Sequence, residues 1–138
     1  MTARLEDWRT QFGALVQSRA RTPFAWGRND CALWAADCVW AITGQDPAAD
    51  LRGAYSTEFG AARVLLQRGG LAAIATDALG PPIAPLLATV GDVVLVQTPQ
   101  GEALAVCNGD HLLGPTANGM GGYSLADGLQ AWRVGHHG

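Results

Sequence analysis

The sequence predicts an α+β fold: N-terminal helices packed on a small antiparallel β-sheet or half-barrel. Three observations carry that prediction. Apolar residues recur at three- and four-residue steps only in the first part of the chain. A proline-rich break, Pro81-Pro82 and Pro85, then interrupts the pattern. Beyond it come short β-branched or apolar runs separated by turn dipeptides. At 138 residues, 49% of them hydrophobic, the chain is expected to form one domain with one core. Within it, residues 1–20 hold the first helix and residues 21–80 a loop, a central helix and further helices. Residues 86–134 hold the sheet and 135–138 a tail.

Leu5, Trp8, Phe12, Leu15 and Val16 share one face of the first helix. Arg19 to Asn29 reads as a connecting loop. Asp30 can cap a second helix from Cys31 to Thr43, with Gly44 as its C-terminal stop. Leu33, Trp34, Val39, Trp40, Ile42 and several alanines leave that helix little polar surface, so it is expected to be buried on most sides. After a polar turn, Ser56 or Thr57 caps a third helix in which Phe59, Ala62, Val64, Leu65 and Leu66 are expected to pack; Gly69-Gly70 ends it. A short helix follows over Leu71 to Leu79. Val93 to Val96 reads as a buried strand, Ala103 to Cys107 as a second, and Asn108-Gly109 as a hairpin turn into a third, His111 to Leu113. Gly114 to Gly122 reads as a bend. Tyr123 to Leu125 and Ala131 to Val134 read as the last short strands.

Composition narrows the function classes. Net charge is −3 with no basic cluster, so no nucleic-acid partner is expected. No apolar run reaches membrane-spanning length, and no signal sequence is recognised, so a soluble protein is expected, cytoplasmic if it is not part of a virion. Three cysteines, Cys31, Cys38 and Cys107, are an odd number that argues against a disulfide framework, and no Cys/His spacing suits zinc. No metal and no cofactor are expected.

One arrangement has catalytic meaning. Cys31 directly follows the capping Asp30, at a helix N-terminus whose free N–H groups can stabilise a thiolate and hold an oxyanion. Cys38 and Cys107 read as small buried side chains. Trp26 stands in the loop before Cys31, where it could line a cleft. Arg28 and Asp92 read as a structural hydrogen-bonded pair near the helix start.

The run Phe24-Ala25-Trp26-Gly27-Arg28-Asn29-Asp30-Cys31, with Gly91-Asp92-Val93-Val94 much later, resembles the NlpC-type papain-like cysteine peptidases, which cleave bacterial cell-wall peptides. More closely, the chain resembles a small phage and prophage family of that fold, encoded near tail genes. The shared features are the Trp-Gly…Asp-Cys start, Thr43-Gly44, Arg52-Gly53-x-Tyr55, the Gly-Asp strand and Ala131-Trp132-Arg133-Val134. The resemblance runs over roughly residues 20 to 134. It implies Cys31 as nucleophile and Asp30 as helix cap, with Trp26, Gly27, Arg28, Asp92 and Ala103 lining the site. It also implies a histidine at the start of the second strand, and Ala103 stands there instead. The serine expected after the cysteine is Ala32, and the tyrosine expected before Trp-Gly is Phe24.

No other base is well placed in the sequence. His111 falls at the opposite end of the second strand. His136 and His137 lie in a terminal segment expected to be mobile. Glu102 is beside the lost histidine, but a carboxylate there disfavours a thiolate. The expectation is therefore a non-catalytic structural or assembly protein of a phage tail tip or baseplate, partnered by other tail-tip proteins and located in the virion after cytoplasmic assembly. The alternative is a peptidoglycan peptidase or amidase used in phage entry, with Cys31 as nucleophile and bacterial cell wall as partner.

Overall fold

The computed structural model describes residues 3–135. Four helices precede five strands: α1 (Trp8–Arg19), α2 (Cys31–Thr43), α3 (Glu58–Arg68), α4 (Leu71–Leu79), then β1 (Val93–Thr98), β2 (Gly101–Cys107), β3 (Leu112–Thr116), β4 (Gly119–Tyr123) and β5 (Gly128–Trp132). The strands form one open antiparallel sheet in the order β4-β3-β2-β1-β5. This is an α+β fold, with helices first and sheet second. None of the described helices is long and apolar enough to cross a membrane.

Local chemistry sets the helix ends. The Asp30 carboxylate accepts from the Leu33 amide at the start of α2, and Gly44 closes it in a left-handed conformation at φ 79°. Thr57 and Gly69 do the same for α3. The core lies between α2 and the sheet. Trp34, Cys38, Ile42, Val93, Leu95, Val106, Trp132 and Val134 pack there with Phe12 of α1 and Leu71, Ala75 and Leu79 of α4. Buried indoles keep their polar atoms paired: Trp34 Nε1 donates to the Leu113 carbonyl at 2.8 Å and Trp132 Nε1 to Thr76 Oγ1 at 3.1 Å.

Several expectations need correction. Phe59 and Leu66 do not pack; they are 74% and 83% exposed, with Ala62 beside them on the outer face of α3, because Ala61, Val64 and Leu65 supply its inner face. Trp40 is 48% exposed on the outer side of α2, under the Arg52 guanidinium at 5.2 Å. The glycine-rich stretch is not a simple bend: Leu112–Thr116 and Gly119–Tyr123 pair as a hairpin turning at Ala117-Asn118. Leu125–Asp127 is a 3-10 turn and the last strand ends at Trp132. His136 and His137 lie outside the described residues.

Candidate functional site

The start of α2 is held by one buried carboxylate. Asp30 Oδ1 accepts from the Leu33 amide at 2.9 Å, and Oδ2 accepts from the Gly27 amide at 2.9 Å and the Tyr55 hydroxyl at 2.7 Å. Gly27 takes φ +77°, and a Cβ there would stand 2.3 Å from the Tyr55 carbonyl oxygen, so only glycine fits. A backbone bridge between Ala25 and Asn29 closes the loop that presents Trp26. Asn29 is fixed in turn by the Thr22 and Pro23 carbonyls and by Arg19. Tyr55 is brought up by Arg52, which bonds Asp46 and Asp37, the latter on α2. The Trp-Gly…Asp-Cys run and the Arg-Gly-x-Tyr run are thus two halves of one hydrogen-bonded unit.

Cys31 opens α2 at the floor of a cleft of about 570 Å³. The Leu104 amide of β2 lies near its sulfur, and Ala103, next in the chain, lines the same cleft. Burial pushes the Cys31 thiol up to about 11, and the Asp30 charge adds to the rise; the Leu104, Ala32 and Cys31 amides pull less strongly the other way. At this helix start burial outweighs the pull of the backbone amides on the thiol. Burial raises Cys38 and Cys107 as well. No group of three or more His, Cys, Asp or Glu among the described residues could hold a metal.

Of the residues expected at the site, the structure brings together Cys31, Trp26, Ala103 and Glu102 as cleft walls. Asp30 and Gly27 sit behind them as support. Arg28 and Asp92 do not pair with each other. Arg28 is exposed, while Asp92 is fully buried beyond Val93, which pairs with Val106 toward the opposite end of β2 from Ala103. Asp92 accepts from Arg4, from the Val134 amide and from Thr89, tying both ends of the chain to the start of β1. The reason for the correction is register: Asp92 stands four residues before Val96, the partner of Ala103, or about 13 Å along the strand. His111 follows the β2–β3 turn beyond Cys107, exposed, its amide held by Asn108.

Sequence reasoning missed the far walls of the cleft. Tyr123, Glu58, Thr98, Gln100 and Thr116 come from a strand end, a helix start and two hairpin turns that meet only in the folded chain. The Tyr123 ring leans over Gly114, where a Cβ would approach it to 3.1 Å. That glycine was the one available signal.

These features define a class: an α+β domain of four helices on an open five-stranded sheet, with a cysteine-floored cleft at the start of its second helix. Residues 3–134 match the family described as Domain of unknown function (DUF6950), and the chain belongs to that family. No curated protein matches the chain.

Proposed function

We propose that the chain is a non-catalytic structural or assembly component of a phage tail tip or baseplate, built on a degenerate NlpC-type papain-like domain. In this reading it acts in the virion, after assembly in the host cytoplasm, against other tail-tip proteins. One observation carries the non-catalytic part: Ala103 lines the same cleft as Cys31, and among the described residues no histidine, lysine or arginine lines it. A cysteine nucleophile needs a base within about 3 Å of its proton, or one water further. The tail context rests on the resemblance of the Trp26-Gly27…Asp30-Cys31 and Arg52-Gly53-x-Tyr55 runs.

A second reading, a cell-wall peptidase or amidase with Cys31 as nucleophile, is favoured by the cleft itself, which Cys31 lines. Alkylation of Cys31 against pH, followed on its own peptide by mass spectrometry, separates the two. A thiol near 11 carries about 300-fold less thiolate at neutral pH than a free cysteine near 8.5, and should react correspondingly slowly. Ala103→His should raise the rate at pH 7 at least about tenfold by setting an imidazole in the cleft. Fast wild-type alkylation at pH 7 would overturn the non-catalytic reading. No acceleration in Ala103→His would overturn the degenerate-peptidase origin.

A further inference from the structure

The cleft over Cys31 has the lining of a cation site. Phe24 and Trp26 meet edge to face, with ring centroids 4.7 Å apart and planes at 83°. Tyr123 forms another wall, and its hydroxyl has no hydrogen-bond partner among the described residues. Glu58, the first residue of α3, and Glu102, near the start of β2, are both solvent-exposed cleft residues. Four other carboxylates are matched by arginines, Asp92 with Arg4, Asp37 with Arg19 and Arg52, Asp46 with Arg52, and Asp50 with Arg68, while among the described residues no basic side chain lines this cleft to offset its two glutamates. Glu58 and Glu102 have no ion-pair partner among the described residues. Two unneutralised carboxylates and three aromatic rings around one cavity attract a cation by charge and by ring faces together. A cavity of about 570 Å³ also has room for flanking peptide backbone.

We propose that this cleft seats a lysine side chain, with its flanking backbone, from an extended segment of a partner protein. The inference rests on the non-catalytic reading, in which the cleft binds without turning over. A second copy of this chain is a poor source of an ammonium group, because the sequence contains no lysine. The partner supplies it.

The test uses the full chain labelled with ¹⁵N and three blocked tripeptides that differ only at the central residue: lysine, norleucine or glutamate. The Trp26 indole signal, assigned with Trp26→Phe, reports occupancy. The lysine peptide should shift it saturably and bind at least fivefold more tightly than the norleucine peptide. The combined variant Glu58→Gln, Glu102→Gln, checked for an unchanged fold by its other indole signals, should lose about tenfold in lysine-peptide affinity at low salt. Equal binding of lysine and norleucine peptides, or an undiminished preference in the double variant, would overturn the cation site. A murein peptide bearing a free side-chain amine is the fourth probe; tighter binding than the lysine tripeptide would overturn a protein partner in favour of cell wall. Cleavage of any probe, read by mass spectrometry, would overturn the non-catalytic reading, while the lysine-to-norleucine affinity ratio would still decide separately for or against the cation site.

Discussion

Replacing Asp30 with asparagine isolates what the carboxylate does, because the side chain keeps its shape and leaves no cavity. Asp30 is 1% exposed and accepts three hydrogen bonds, from Leu33, Gly27 and Tyr55. Asparagine retains one carbonyl oxygen, enough for the Leu33 amide. Its NH₂ group then faces the Gly27 amide and the Tyr55 hydroxyl. The hydroxyl can rotate and accept; the Gly27 amide is left facing another donor. A bond to a charged acceptor contributes about 1.5 to 3 kcal/mol net, so losing one and weakening a second should cost about 3 to 4 kcal/mol. Tyr55→Phe removes one of these bonds and should cost about 1.5 to 2 kcal/mol. Urea unfolding measures both: at a slope of about 2 kcal/mol/M, Asp30→Asn should lower the midpoint by roughly 1.5 to 2 M. The double variant should cost about 1 to 1.5 kcal/mol less than the two singles added, since the Tyr55–Asp30 bond that the first weakens is the one the second removes. A cost below about 1 kcal/mol for Asp30→Asn, or strict additivity with Tyr55→Phe, would refute the network as the anchor of α2.

Three further outcomes are expected. Gly27→Ala meets both a left-handed backbone and a carbonyl 2.3 Å from its new Cβ, and should cost at least about 3 kcal/mol, seen as a fall of roughly 10 °C in a thermal melt. Arg4→Met removes the cation bonded to the buried Asp92 and to the Val90 and Val134 carbonyls; about 3 to 5 kcal/mol should be lost in urea unfolding, and a loss under about 1 would show that the pair is not needed. Cys31 makes stability fall at alkaline pH. Its folded thiol lies near 11, above the unfolded value of about 8.5, so its contribution is intact below about pH 8 and declines as the unfolded thiol ionises, by roughly 3 kcal/mol at pH 11. The stability gap between wild type and Cys31→Ala should therefore shift toward the variant between pH 8 and 11, and a constant gap would contradict the raised thiol.

The helix ends were legible because capping is local. Asp30 with Gly44, and Thr57 with Gly69, act within a few residues of themselves. Which stripe of α3 turns inward was not legible. Its sequence offers Phe59, Ala62 and Leu66 on one side and Ala61, Val64 and Leu65 on another, and only the position of the α4 and α2 surfaces decides between them. The β3–β4 hairpin hid for a different reason. Four of its strand residues, Gly114, Gly119, Gly121 and Gly122, carry no side chain to alternate, and Gly114 and Gly121 stand where a Cβ would press on Tyr123 and Thr116.

The site was legible as pieces and not as a unit. Trp26-Gly27, Asp30-Cys31 and Arg52-Gly53-x-Tyr55 can be read in order, but nothing in the spacing says that the Tyr55 hydroxyl ends on the Asp30 carboxylate, 25 positions back. Once joined, these pieces change the weight of the Asp30-Cys31 pair. All three of Asp30's hydrogen bonds serve the backbone and Tyr55, and its charge raises the neighbouring thiol instead of activating it. An aspartate before a cysteine at a helix start is then sufficiently explained by architecture. The cysteine is not: it stands outside that hydrogen-bonded unit, in a cleft whose walls include two carboxylates and three aromatic rings. Architecture alone would be served as well by alanine at position 31. If Cys31→Ala leaves peptide binding at the Trp26 indole unchanged, the cleft works through its walls and the thiol is incidental. If it weakens binding, the sulfur itself touches the bound chain.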